Sequence, residues 1–164
     1  MRDDIRIRVA VADDAETIHA GLKALATSMD AEEKFVATVE NVRRYGFGEA
    51  PAFEVLIAEA DGTFAGLCLT FPIFSTWMGT PGIYVQDLIV ETAFRGRRIG
   101  ERLLHAAARR GLAQGARYLR LSVDVENFRA QAFYDRLGIR HARDEQIHMI
   151  KGADFDAFAE GEEP

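Results

Sequence analysis

Ile5-Arg6-Ile7-Arg8-Val9 alternates apolar and polar side chains, the two-residue period of a strand with one face buried. The period then changes to that of a helix. Asp13 or Asp14 can cap a helix running to about Met29, with Ile18, Leu22 and Leu25 on one face. A second helix is predicted from about Ala31 to Tyr45, with Phe35, Val39 and Val42 inward, before the glycines and proline of Gly46–Pro51 stop it. Phe53–Glu59 and Thr63–Phe71 read as two strands joined at Asp61-Gly62. Pro72, Gly79, Pro81 and Gly82 break the stretch 72–82 into a loop that exposes Phe74 and Trp77. Ile83–Val90 is a strong strand, and Ile99 to about Gln114 is the best helix. Ile99, Leu103, Leu104, Ala107, Ala108 and Leu112 line one face of that helix, and Glu101, Arg102, Arg109 and Arg110 face water. Tyr118–Val125 is another strand, and Asn127 opens a short helix through Leu137 that Gly138 ends. Ile139–Ala142 and Ile147–Lys151 read as a closing strand pair. The final stretch, 154–164, carries five acids and no base and reads as a solvated tail.

The order strand, two helices, three strands, helix, strand, helix, strands describes one mixed α/β domain over residues 1–153, with 154–164 as an acidic C-terminal tail. A length of 164 residues suits one core. The formal charge of −6 argues against nucleic acid or an anionic membrane as a partner. The single cysteine, Cys68, cannot form an internal disulfide or by itself build a zinc site, and its apolar neighbours make it a small buried hydrophobe. No metal is expected. No apolar run reaches membrane-span length and no leader pattern opens the chain, so a cytoplasmic location is expected.

Charge changes the picture locally. Of the 20 cations 17 are arginine, and Arg95, Arg97 and Arg98 fall in one turn between the strongest strand and the strongest helix. Backbone N–H groups at a helix N-terminus, with the helix dipole behind them, bind phosphate. Gly96 and Gly100 let the backbone approach an anion closely, and the three arginines add charge. No Gly-Lys-Ser/Thr is present, so this is not a Walker loop. The mid-chain position also differs from that of a dinucleotide fingerprint.

Arg95-Gly96-Arg97-Arg98-Ile99-Gly100 resembles the acetyl-CoA motif of the GCN5-related N-acetyltransferases (GNAT), an Arg/Gln-x-x-Gly-x-Gly/Ala turn. Arg95 and Gly100 match, whereas Arg98 replaces the middle glycine. Asn127, Ala130, Phe133, Tyr134 and Gly138 match the family's later Asn-x-x-Ala-x-x-Phe-Tyr-x-x-x-Gly motif. The resemblance implies an α/β (α+β) GNAT-like domain with a mixed central sheet of about six to seven strands and about four helices. It implies acetyl-CoA as acyl donor. Amides from Gly96 through Arg97, Arg98, Ile99, Gly100 and Glu101 would cradle the pyrophosphate, with Arg95 beside them. The backbone of Leu88, Ile89 and Val90 would hold the acetyl and pantetheine end as an added strand does. Asn127, Ala130 and Tyr134 complete the expected cofactor contacts.

Chemistry gives Tyr134 a role. A phenol of pKa about 10 can protonate a departing thiolate whose acid has a pKa of about 8.5. Asp87 is the expected acceptor of the amine's proton, directly or through water. An N-cap for Asn127 and a strand-end hydrogen bond for Asp87 are the plainer roles for those two residues. His19, His105, His141 and His148 are scattered and read as surface or structural.

Asn41–Pro51 and Trp77-Met78-Gly79 before Ile83–Asp87 resemble the diamine (spermidine/spermine) N-acetyltransferase branch, which implies a homodimer. That branch holds a polycation with carboxylates. At the corresponding positions this chain has Met29, Gln86 and Gln146, and Asp87 alone keeps its charge. Each missing carboxylate removes an ion-pair partner, so the expected acceptor is a small primary amine less cationic than a polyamine. The alternative is a non-catalytic acyl-CoA-binding or regulatory module on the same fold.

Overall fold

Five strands form one sheet in the computed structural model, which describes residues 4–161. The chain divides into two compact units, the first ending at Ser122 and the second beginning at Val123. The first unit holds β1 (Ile5–Val9), α1 (Ala15–Ser28), α2 (Val39–Gly46), β2 (Glu54–Ala60), β3 (Thr63–Ser75), β4 (Thr80–Val90), α3 (Ile99–Ala113) and β5 (Leu119–Leu121). The sheet order is β1-β2-β3-β4-β5; the first four strands are antiparallel and β5 pairs parallel to β4. The second unit holds α4 (Phe128–Arg136) and α5 (Ala153–Ala159).

Both faces of the sheet are covered by apolar side chains. Ile18 of α1 and Val42 of α2 pack with Val55, Ile57, Leu67, Leu69 and Ile89 of the strands in one cluster. On α3, Ile99, Leu103, Leu104 and Ala107 are buried as its period requires, whereas Leu112 is 59% exposed near the helix end. Cys68 is wholly buried, and burial pushes its thiol up to about 12, so it is an inert packing residue. Arg110 on α3 makes a bidentate pair to Glu54 on β2 at 2.6 Å for each bond.

The elements depart from the sequence reading in several places. The stretch 72–82 is largely strand: β3 runs on to Ser75 and β4 starts at Thr80, with only Thr76–Gly79 as the turn. The prolines fit because β2 ends opposite Thr70, so Pro72 lies where β3 has a neighbour on one side only. The second helix starts at Val39 rather than Ala31, because Thr38 and Asn41 form a reciprocal capping box. The strand expected over 118–125 is only Leu119–Leu121, since Asp124 turns the chain by accepting from the backbone N–H of Glu126 and Asn127.

The closing strand pair is absent: residues 139–152 have no strand, and Ile147 and Met149 are each 76% exposed. Alternation alone does not make a strand without a ladder partner. Among the described residues the sheet therefore has five strands, not the six to seven expected, and there are five α-helices. The tail is helical from Ala153 to Ala159, with Asp154 and Asp156 placed favourably in its first turn.

Arg8 ties β1 to the start of α1. Its guanidinium bonds both carboxylate oxygens of Asp14, at 2.7 and 2.8 Å, and Glu59 on β2 at 2.9 Å. The Arg8 bonds hold the Asp14 carboxyl below the usual carboxylate range. A lowered folded pKa means stability that is present above the unfolded value and lost as pH falls through the folded one. Asp14→Ala is therefore expected to cost about 1–2 kcal/mol near neutral pH, the scale of a part-buried charged hydrogen bond. Denaturant titrations should show the deficit shrinking below about pH 4.

Candidate active site

The site begins with one extra residue in β4. Leu69 of β3 stands opposite Asp87, and the next residue, Thr70, stands opposite Val85. Gln86 is thus a β-bulge, and it is exposed. A bulge reverses which face the following residues occupy. Tyr84 and Asp87 are three residues apart, yet both lie on the α1/α2 face, opposite Phe71 and Leu69.

β4 also loses a neighbour here. Its pairing with β5 ends at Val85 opposite Leu121, while β4 itself continues to Val90. Leu88 and Val90 therefore lie where β4 is paired with β3 only, the condition for an extended ligand to add alongside. Gly66, opposite Val90, keeps β3 close to this segment: a Cβ there would collide with the backbone carbonyl oxygen of Ile89.

Asp87 is partly buried, and burial pushes its carboxyl above the ordinary carboxylate range. A carboxylate in this state is a better proton acceptor than an exposed aspartate.

Beyond β4 the chain makes a short turn, Thr92–Phe94, and enters the arginine-rich segment. Gly96 has φ +82°, and nothing lies within 4 Å of the position a Cβ would take. Arg98 is the N-cap of α3 with φ +58°, a left-handed conformation that favours glycine. Arginine in place of the expected glycine thus keeps the glycine-type backbone. Arg98 is held by a bidentate pair to Glu101, at 2.7 and 2.9 Å.

Arg98 makes no side-chain capping bond to the helix; α1 and α5 likewise start without one, whereas α2 is capped by Thr38 and α4 by Asn127. Ile99 and Gly100 are buried in the first turn of α3. Arg97 lies over the Phe94 ring at 5.4 Å, and the Arg95 side chain turns back toward the Val90 carbonyl at 3.5 Å. An uncapped helix start, an open positive-φ glycine and three arginines fit a polyphosphate. Among the described residues no group of three or more His, Cys, Asp or Glu could hold a metal ion.

The remaining expected residues lie elsewhere. Met29 ends α1 and is 51% exposed. Within the second unit, Asn127 accepts from the Ala130 N–H at 3.1 Å, so its capping role is realised. Tyr134 lies on α4, edge-on to Phe133 at 5.2 Å. Gln146 is exposed in the irregular segment. The first unit thus brings together Asp87, Leu88, Ile89, Val90 and the 95–101 turn, and Asn127, Ala130, Tyr134 and Gln146 belong to the second. The sequence reading missed the bulge, the one-sided end of β4 and the left-handed Arg98. The only trace of the bulge was that Tyr84 and Asp87 break a strict alternation.

For Asp87, a raised folded pKa reverses the sign argued for Asp14. The folded protein holds the proton to higher pH than the unfolded chain does, so stability falls as pH rises from about 4 through the folded pKa. Asp87→Asn is expected to raise Tm near neutral pH, with the gain vanishing below about pH 4. Thermal scans across pH check this.

The family model described as "Acetyltransferase (GNAT) family" matches residues 20–139. A Sus scrofa protein named thialysine N-epsilon-acetyltransferase is 33% identical over 144 residues, which is 83% of this chain and 84% of that protein. Among solved structures, an integron cassette protein from the mobile metagenome of V. cholerae matches with TM-score 0.80 at 18% identity, covering 94% of this chain and 97% of its own. An aminoglycoside N-acetyltransferase in complex with CoA matches with TM-score 0.70 at 20% identity, covering 93% and 97%. At such identities the two structures speak for the fold alone.

Proposed function

The chain belongs to the GNAT acetyltransferase family, and on that premise we propose that it moves the acetyl group of acetyl-CoA by direct attack onto a primary amine of a small molecule less cationic than a polyamine. The observation that carries the reading is the uncapped, arginine-rich start of α3 beside a strand paired on one side only and carrying Asp87. Acetyl-CoA is the acyl donor in this family. Here Arg95 through Glu101 would receive its pyrophosphate, and the backbone of Leu88, Ile89 and Val90 its extended arm.

Two protons must move. An ammonium is not a nucleophile, so the acceptor must give up a proton, and Asp87 takes it directly or through a water. The departing sulfur gains a proton, which Tyr134 supplies from its phenol and regains from solvent. These roles are supported by the burial of Asp87 and by the match of Tyr134 to the family's motif.

Met29, Gln86 and Gln146 stand where the diamine branch has carboxylates, which disfavours a polycation. The likeness to a protein named for thialysine supports an amino-acid-like acceptor. We place the reaction in the cytoplasm, for which the one buried thiol, Cys68, is suited; no helix among the described residues is long and apolar enough to cross a membrane. We also propose a homodimer. Trp77 at 99% and Phe74 at 62% exposure, on the β3–β4 hairpin, are apolar surface that a subunit contact would cover.

Thiol release from acetyl-CoA across lysine, thialysine, monoamines, putrescine, spermidine and spermine tests the acceptor. Lysine-type amines or monoamines should show a higher kcat/KM than spermine; the opposite order refutes the acceptor reading. Tyr134→Phe should lower kcat by about a hundredfold or more with acetyl-CoA affinity nearly intact, the range for a lost general acid. Gly100→Asp should do the reverse, weakening acetyl-CoA binding first. Light scattering should give twice the 18.2 kDa chain mass.

A further inference from the structure

The bulge aligns Asp87 with side chains that the transfer step itself does not use. Asp87 and Tyr84 stand opposite Leu69 and Phe71, two positions apart on β3, a separation of about 7 Å. Across the parallel ladder Tyr84 stands beside Arg120, and paired neighbours project to the same face. The Tyr84 hydroxyl is bonded to the Ser122 hydroxyl at 2.6 Å, and its ring stacks on Phe71 with centroids 5.0 Å apart and planes 15° apart. Those two contacts hold the Tyr84 ring in place. One face of the sheet therefore presents, in order, a carboxylate, an aromatic pair and an exposed guanidinium.

We infer that this row reads an α-amino acid with a distal primary amine: the amine at Asp87, the hydrocarbon stem along Phe71 and Tyr84, and the α-carboxylate at Arg120. The inference rests on the acetyl transfer proposed at Asp87 and names the acceptor's other end. In a lysine-length acceptor, five single bonds of about 1.5 Å separate the amine nitrogen from the α-carbon, an extended span of about 6 Å. That span matches the Asp87-to-Tyr84 spacing. A guanidinium binds a carboxylate through a planar fork. Arg120 already has an interaction of its own, and its five N–H donors allow a carboxylate to be held as well. A polyamine of the same length would bring a second ammonium to Arg120 and be repelled. Arg120 thereby acts on specificity in the same direction as the replaced carboxylates.

The test compares lysine with 1,5-diaminopentane, the same amine without the carboxylate. Thiol release and calorimetric binding to the CoA-loaded protein are measured for wild type, Arg120→Gln and Arg120→Lys. Wild type should favour lysine in kcat/KM by about tenfold or more, the scale of one charged bidentate contact. Arg120→Gln should raise the lysine KM about 10- to 100-fold with much less effect on kcat, bringing the ratio between the two amines near one. Arg120→Lys should recover part of the preference. A wild-type preference for the diamine overturns the inference, as does an Arg120→Gln variant that weakens both amines equally. If neither amine is acetylated, the transfer reading fails for these acceptors. Calorimetry then decides the anchor separately: lysine binding that survives Arg120→Gln overturns it.

Discussion

The pairing of β3 with β4, and the single residue by which the two strands fall out of step, is the constraint on which the site depends. Were Gln86 paired in step with Tyr84 and Val85, Asp87 would fall opposite Cys68 and point to the α3 side. With the bulge, Asp87 faces the α1/α2 side beside Tyr84 and Phe71. The register is held by burial on either side: after the bulge Leu67 and Leu69 of β3 pack with Ile57, Val55 and Ile89 in one cluster, and before it Ile83 and Val85 of β4 are buried. A one-residue slip would move that apolar set out of its core, a cost of several buried side chains at about 1.5–3 kcal/mol each. The bulge is therefore locked by packing on both sides of it.

The same strand carries the proposed donor site. β4 needs β5 only as far as Val85, and the rest of its length is supported by β3 and by the core beneath Ile89. A strand stabilised from one side can leave its other side to a ligand without losing its place in the sheet. Gly66 is part of this support, since any larger residue would push β3 away from Ile89.

Local rules are broken at the proposed site. Arg98 is left-handed without being glycine, α3 starts without a side-chain cap, and Asp87 is a carboxylate held at a partly buried position. Each has a cost: the left-handed arginine about 1–2 kcal/mol, and the missing cap about 1 kcal/mol. The rest of the first unit offsets them through the apolar cores on both faces of the sheet, the Arg8–Asp14–Glu59 network and the Arg110–Glu54 pair. An anion at the start of α3 would supply the charge that the missing cap does not.

By itself the sequence determined the elements whose period is long and whose partners are close in the chain. β1, α1, the β2–β3 hairpin at Asp61-Gly62 and α3 are readable because amphipathic spacing, caps and turn residues act locally. The glycine- and arginine-rich turn that opens α3 was readable for the same reason, since a helix start, glycines and arginines within six residues need no distant partner. The tertiary structure alone decided whatever depends on a neighbouring strand. It extended β3 and β4 through Pro72 and Pro81 because Pro72 lies beyond β2 and Pro81 precedes the β4–β5 pairing that starts at Ile83, and it left 139–152 without a ladder despite its alternation. It also placed Tyr84, Arg120 and Asp87 on one face. The reason is that register is a relation between two segments, and neither segment's sequence contains it.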